Sequence, residues 1–468
     1  MELVPEQIPQ PSTPSLKSRN TSNSGSQDCD QEGLACHRHP SSSSALRLIA
    51  FYLTQFHPIP ENDRWWGKGF TEWANVTKAM PLFDGHLQPH LPTDFGFYDL
   101  RVRETRRDQI KVAKEYGIDG FCYHYYWFSG KRLLNQPLDD MLADPESDMP
   151  FCLCWANENW TRRWDGAEHE VLIAQKYLPD DDLNFIKSLV PFFQDARYIC
   201  VDGKPFLIVY CPQHLPDAKR TLNTWREYCR SIGVGELHLC AALTHDNESY
   251  LQYGFDSGVE FPPHNLKIAN SNDRIRFHEP FRGRVLQYAV IAEWYLRRMY
   301  PNSRVFKTIF PSWDNTARTK ERALVVLNGV PKNYEFWLSS TLDLAMKSKG
   351  DGDQLVFINA WNEWAEGCHL EPDRRFGHGF LNATRDAKRG LRKYTEFPHV
   401  SLPDAVGHRF WRDAMALLKL HGYAALSDAK RMIIQRPWLH RTLLPFVRGF
   451  RAIRTRVSSR FFSTALRK

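Results

Sequence analysis

The sequence has no apolar run long enough to cross a bilayer as a helix, which takes about 20 consecutive residues, so no membrane-spanning helix is expected. It also lacks a phosphate cradle: neither GxGxxG nor GxxxxGK followed by Ser or Thr occurs after any strand-like run, and an open nucleotide-binding sheet depends on such a loop. The ten cysteines form no regular framework, and Cys122, Cys152, Cys154 and Cys240 sit inside apolar runs. That usage fits buried free thiols in a reducing compartment better than disulfides. Cys36-His37-Arg38-His39 is half a zinc motif without its second half; no metal and no cofactor is expected. Met1 to Ser44 is rich in Pro, Ser and Asn and lacks the apolar core of an export signal, so residues 1–44 read as a disordered leader and the compartment as the cytoplasm. Of five Asn-x-Ser/Thr sequons, Asn159 falls in a candidate binding loop, where glycosylation is not expected.

Acidic charge is missing from one end. Between Arg431 and Lys468 there are ten Lys or Arg and no Asp or Glu. Those ten exceed the net charge of the whole chain, +7, so the body is slightly acidic and a nucleic-acid partner is not indicated. Beyond a helix expected over 402–424, Phe446, Phe450, Ile453, Val457 and Phe461 recur at helical spacing, with Arg448, Arg451 and Arg454 on the other face. Two readings fit this part of residues 401–468: an amphipathic helix lying on the anionic inner face of a membrane, or a helix packed on the body with a solvated basic face.

What is abundant is aromatic: 13% of residues, with 15 Trp. Eight apolar, β-rich runs cover 46–56, 117–127, 150–156, 205–211, 237–243, 254–261, 304–310 and 355–361. Helix-period segments fall near 101–116, 180–194, 217–231, 283–299 and 333–348. Continuously apolar strands joined by helices indicate a parallel sheet. Eight such units predict a single (β/α)8 barrel of the TIM type over 45–400, with its functional groups where strands end.

Polar and aromatic residues cluster at those ends. The first run leads to His57, Trp65, Trp66, Glu72 and Trp73, and the second carries His124, Tyr125, Tyr126 and Trp127. Trp155, Asn157, Glu158, Asn159 and Trp160 follow the third, and Trp313 and Asp314 the seventh. The last run ends Trp361-Asn362-Glu363-Trp364-Ala365-Glu366. Flat rings suit the C–H face of a pyranose, and amides and carboxylates suit its hydroxyls. A groove for nucleic acid would need more Lys and Arg along it; Arg162 and Arg163 are the main basic residues here. Chemistry at a glycosidic bond needs one protonated and one ionised group flanking the scissile oxygen. Two carboxyls crowded in a partly dry cleft cannot both ionise easily, so their roles separate. Glu363 and Glu366 are therefore the candidate catalytic pair, with Trp361 and Trp364 as a dry wall. The alternative is that both open a helix and face water.

FYLTQFHPIPENDRWWGKGFTEW, GIDGFCYHYYWFSGKRLL, CWANENWTRRWDG and INAWNEWAEGCHLEPD resemble WbsX-type proteins of bacterial surface-polysaccharide clusters, which are related to glycoside hydrolase family 99. The resemblance spans roughly 46–400. It implies a (β/α)8 barrel and carbohydrate activity, either as glycosyltransferases of lipopolysaccharide assembly or as retaining endo-α-mannosidases with two glutamates in a strand-eight NEWxE motif. Mapped onto Asn362 to Glu366, it implies that Glu363 assists the substrate's own 2-hydroxyl as internal nucleophile and that Glu366 is general acid and base. The chain departs from the hydrolase pattern at WANENW, which leaves mannose specificity open. The partner expected is an oligosaccharide or lipid-linked glycan. Two further readings stay open: a non-catalytic glycan-binding scaffold, and a metal-dependent hydrolase using His57, His124, His245 and His264, although no HxH or HExxH pair supports it.

Overall fold

Phe51 and Tyr52, adjacent in the first strand, point to opposite faces of the sheet, and that alternation organises the molecule. The structure, a computed structural model, describes residues 46–162, 167–300, 303–347, 352–391, 394 and 397–398. The expected leader 1–44 and the whole of 401–468, with its helical and basic segments, lie outside the described residues.

Eight parallel strands close on themselves: β1 (Arg47–Tyr52), β2 (Gly120–Phe128), β3 (Phe151–Trp155), β4 (Lys204–Val209), β5 (His238–Leu243), β6 (Ser257–Glu260), β7 (Val305–Ile309) and β8 (Leu355–Ile358). Closure is made by β1, which pairs with β8 (Arg47 opposite Leu355) and with β2 (Ile49 opposite Gly120). The (β/α)8 barrel expected from the eight apolar runs is thus present. Its interior is filled by rings rather than left as a pore. Phe51 lies 5.4 Å from Phe357, and Phe206 lies 5.7 Å from Phe306 and 6.1 Å from Phe357. Truncating such a buried Phe to Ala typically costs about 3–5 kcal/mol. Tyr52, on the outer face, donates to Gln109 of helix Arg103–Glu115.

The helices expected near 101–116, 180–194, 217–231 and 333–348 form as Arg103–Glu115, Asp181–Phe193, Ala218–Ser231 and Pro331–Lys347. The segment 283–299 is a helix only from Tyr288 to Arg297, because Arg284–Gln287 pairs as a strand with Leu324–Leu327. Between β5 and β6 only a 3-10 turn, Leu251–Tyr253, intervenes. β6 itself is short, and a side chain at Gly258 would meet the Tyr250 ring at 2.9 Å. Helices Gln136–Ala143 and Gly379–Lys388 were not anticipated by the periodicity. Cys122, Cys152, Cys154 and Cys240 are buried free thiols, as expected. Among the described residues no helix is long and apolar enough to cross a membrane.

Candidate active site

The segment after β8 is neither a helix nor a free loop. Asn362 and Glu363 pair antiparallel with His369 and Cys368, and Trp364–Glu366 form the 3-10 turn between them. The helix-opening alternative for the two glutamates therefore does not hold. Gly367 ends the turn at φ +57°, and an added Cβ would lie 3.0–3.1 Å from the Asp314 backbone and Cβ. Only glycine occupies such a position without strain. Asp314 N–H donates to the Glu366 carbonyl at 2.7 Å, so the β7 and β8 loops are stitched together.

This hairpin delivers Glu363 and Glu366 to the wall of a cavity of about 400 Å³ at the C-terminal end of the barrel. Every strand contributes to its lining. Trp65, Trp66 and Glu72 come from the segment after β1, and His124 and Tyr126 from β2. Glu158, Asn159 and Trp160 follow β3, Tyr210 follows β4, and His245 follows β5. Phe261 and His264 follow β6, Trp313, Asn315 and Arg318 follow β7, and Asn359 joins the pair after β8. The rings meet edge to face: Trp160 lies 6.1 Å from Trp65 and 5.4 Å from Tyr126. Such a wall offers apolar faces and polar edges to a flat, hydroxylated ligand.

Arg318 holds the carboxylates together. Its Nη2 donates to Glu363 Oε1 at 2.6 Å and its Nη1 lies 2.8 Å from Glu366 Oε1. Nη2 also pairs with Glu72 Oε2, to which Nε donates at 3.1 Å. Glu72 is held in turn by Gln55 Nε2 at 2.7 Å and Asn75 Nδ2 at 2.9 Å. The side chain of Glu363 is 8% exposed and that of Glu366 22%. Burial pushes the Glu363 carboxyl well above the usual range; Arg318 opposes this, while the charges of Glu366 and Glu72 add to it. One guanidinium faces three carboxylates, so the cluster favours retention of a proton. Sequence reasoning passed over Arg318. Its signal was faint: one cation five residues past Trp313, in the short helix Thr316–Thr319.

Eleven of the expected site residues reach the cavity: Trp65, Trp66, Glu72, His124, Tyr126, Glu158, Asn159, Trp160, Trp313, Glu363 and Glu366. The remainder are turned elsewhere, each for a physical reason. His57 is buried outside the cavity, where burial lowers its basicity and the Thr54 backbone, then Asp99, partly restore it. Trp73 packs 4.6 Å from Phe56 and donates to the Tyr98 carbonyl at 2.9 Å. Strand alternation sends Tyr125 and Trp155 outward: Tyr125 bonds Ser188 at 2.8 Å, and Trp155 stacks on Phe185 at 4.3 Å. Asn157 clamps the backbone of Cys211, accepting from its N–H at 2.7 Å and donating to its carbonyl at 2.8 Å. Asn362 does the same to Leu53, at 2.8 and 3.0 Å, and so locks the β8 end to the β1 end. Asp314 pairs with His86 at 2.6 Å and accepts from Thr316, bracing the turn that carries Arg318. Trp361 lies buried 5.4 Å from Phe121, and Trp364 stacks on His369 at 3.7 Å. Both indoles back the hairpin instead of walling the cavity. The side chains of Arg162 and Arg163 are outside the described residues.

Of the four histidines weighed for a metal, His124, His245 and His264 line the cavity and His57 does not. His245 and His264 stand 4.7 Å apart. His245 bridges Glu158, at 3.3 Å from Nε2, and Cys211, at 3.7 Å from Nδ1. One donor atom from each of Glu158, Cys211 and His245 lies within 4.8 Å of the other two. His124 is held at a pKa of about 4, lowered by burial and then by Arg318.

The fold and the site thus combine a closed barrel with a ring-walled cavity and paired carboxylates at its C-terminal end, where barrels of this type carry their functional groups. The family model described as glycosyltransferase WbsX matches residues 48–384, and the chain belongs to that family. It is also 45% identical over 341 residues to an uncharacterized protein, WxcX, in two strains of Xanthomonas campestris pv. campestris, with 73% of this chain covered. The chain spans about half (49%) of the length of these relatives. Among solved structures, it is similar to a GH99 endo-alpha-mannosidase from Bacteroides thetaiotaomicron (TM-score 0.45, 14% identity, 75% of this chain and 99% of that one). A glycoside hydrolase-like protein is similar at TM-score 0.44 and 16% identity, over 73% of this chain and 93% of that one.

Proposed function

We propose that this chain makes or breaks glycosidic bonds of a bacterial surface glycan of the lipopolysaccharide O-antigen type, with retention at the anomeric carbon. The observation that carries the reading is the Glu72–Arg318–Glu363–Glu366 cluster on the wall of an aromatic cavity. Burial lifts the Glu363 carboxyl, and a carboxylate lifted toward the operating pH is a better general base. Glu363 takes the proton of the sugar's 2-hydroxyl as that oxygen attacks the anomeric carbon. Glu366, the more exposed of the two, gives its proton to the departing glycosidic oxygen. In the second half an acceptor hydroxyl or water loses its proton to Glu366 and opens the strained ring, and Glu363 returns the proton to the 2-oxygen. Two inversions give net retention.

The motif resemblance at Asn362 to Glu366 and the family's description support this assignment. The acceptor is decided by incubating the protein with lipid-linked glycans, with and without sugar nucleotides, and weighing the products. Nucleotide-sugar consumption identifies a transferase; release of free oligosaccharide identifies a hydrolase. If neither occurs with any substrate bound by the protein, the glycan-binding scaffold replaces the enzyme. We place the reaction at the cytoplasmic face of the membrane, because the ten basic residues from Arg431 to Lys468, with no acidic residue among them, suit an anionic surface. Deleting 437–468 should then release the protein from anionic vesicles; undiminished binding would refute this placement.

A further inference from the structure

Behind the glutamate hairpin, away from the cavity lining, three donor groups converge from two loops. His90 Nδ1 lies 3.2 Å from His369 Nε2, and His369 Nε2 lies 3.8 Å from Asp373 Oδ2. One donor atom from each residue falls within 4.8 Å of the other two. The protonation of His369 follows from its neighbours. Its Nδ1 is 3.1 Å from the Glu371 carbonyl, which can only accept, so Nδ1 carries the hydrogen and Nε2 presents a lone pair. Donation of the far ring nitrogen to a carbonyl is how metal-bound histidines are usually oriented. Asp373 is polarised in the same sense. Its Oδ1 accepts from the N–H groups of Arg375 at 2.8 Å and Phe376 at 2.6 Å, leaving Oδ2 turned toward His369. Two lone pairs, on Nε2 and Oδ2, thus face one another.

A hydrogen on His90 Nδ1 can satisfy only one of them. A cation satisfies both and takes the third donor as well. Ligands at about 2.0–2.2 Å from a tetrahedral or octahedral ion stand on the order of 3 Å from each other; the 3.2 Å between the nitrogens meets this, and Nε2 and Oδ2, at 3.8 Å, would draw together by a few tenths of an ångström on binding an ion. Two imidazoles and one carboxylate suit a borderline divalent ion better than Mg²⁺ or Ca²⁺, which prefer all-oxygen shells.

We propose that His90, His369 and Asp373 form a structural site for a divalent transition-metal ion of the Zn²⁺ type, with water completing its shell. The ion ties the loop after β1 to the loop after β8, where Arg374 N–H already donates to the Leu91 carbonyl at 2.9 Å and Thr93 N–H to the Pro372 carbonyl at 3.1 Å. Through the stack of His369 on Trp364 it steadies the turn that carries Glu366. The proposal concerns metal retention and does not depend on which glycan is the substrate.

The full chain is stripped with a chelator, dialysed, and titrated with Zn²⁺ by calorimetry, with retained metal counted by mass spectrometry. One equivalent should bind and raise the thermal midpoint by a few degrees. His90→Ala and Asp373→Asn should abolish that equivalent while keeping a wild-type circular dichroism spectrum in the metal-free state. Cys211→Ser should retain it, which separates this site from the Glu158, Cys211 and His245 group. His90 is only partly buried, so its variant tests the ligand without emptying the core. Absence of stoichiometric Zn²⁺ in the wild type, or full retention in both the His90 and Asp373 variants, would overturn the assignment.

Discussion

Arg318 reaches Glu363 at 2.6 Å from the turn after β7, so the cation of the site and the acid it holds come from the ends of different strands. The same guanidinium reaches Glu366 and Glu72, and its side chain is 13% exposed. Replacing it by Met strands three acids in a largely dry wall, and breaking a buried pair by removing one partner costs roughly 3–5 kcal/mol. Arg318→Met should lower the thermal midpoint at pH 7.5, and the deficit should shrink at pH 5, where Glu363, raised by burial, is the more fully protonated. Arg318→Lys keeps the charge but not the fork that serves several carboxylates; it should fold and lose activity. A pH-independent deficit in Arg318→Met would show that lost packing, not charge, sets the cost.

Glu363→Gln and Glu366→Gln should each reduce turnover by about 10²–10⁴, the usual worth of a positioned acid or base, while glycan affinity stays within a few fold. The acid limb of the wild-type rate profile should lie above the ordinary carboxylate range, because burial and then the neighbouring acids raise Glu363. An acid limb at the ordinary glutamate value would place the base elsewhere.

Glu371 makes stability depend on pH. It is buried behind the hairpin and accepts from Trp364 and Gln109 at 2.6 Å and from Tyr98 at 2.8 Å. Burial nevertheless lifts its pKa from the ordinary 4.5 to about 7. The folded chain therefore holds this proton more tightly than the unfolded chain. Its contribution is complete below about pH 4.5 and is lost as pH rises through about 7, up to on the order of 3 kcal/mol. Glu371→Gln can be accommodated if the Gln109 amide turns over and Tyr52 accepts from it. Urea midpoints of wild type and variant should then diverge between pH 5 and pH 8 in favour of the variant at high pH. Parallel curves would remove Glu371 as their source.

Gly367→Ala should destabilise by about 1–3 kcal/mol, since φ +57° and the close Asp314 backbone both oppose a side chain. Because Gly367 ends the turn that carries Glu366, activity should fall further than the melting temperature alone explains. Equal losses would mean that the turn does not position the acid.

The barrel was legible because most strands are nearly continuous apolar runs bounded by turns, Ser257–Glu260 being the exception. Which side chains face the cavity was less so. Tyr125 and Tyr126 are alike in sequence, yet one bonds Ser188 outside and the other lines the cavity. Composition marks a strand but not its phase. Trp155 against Trp160 repeats the point across a strand end: the first stacks on a helix, the second walls the cavity. Asn157, Asn362 and Asp314 look like ligand-binding residues and serve instead as braces for backbone and turn. Arg318 carried only a faint local mark, since its partners lie about 45 and 246 positions away in the chain.

The meeting of β1 with β8, clamped by Asn362 on Leu53, has a consequence for synthesis. Glu72 leaves the ribosome early, Arg318 much later, and Glu363 later still, so no product that stops before the hairpin after β8 contains the whole cluster. The cluster stays incomplete until the final strand threads into place beside the first, and the site exists only in a completed ring.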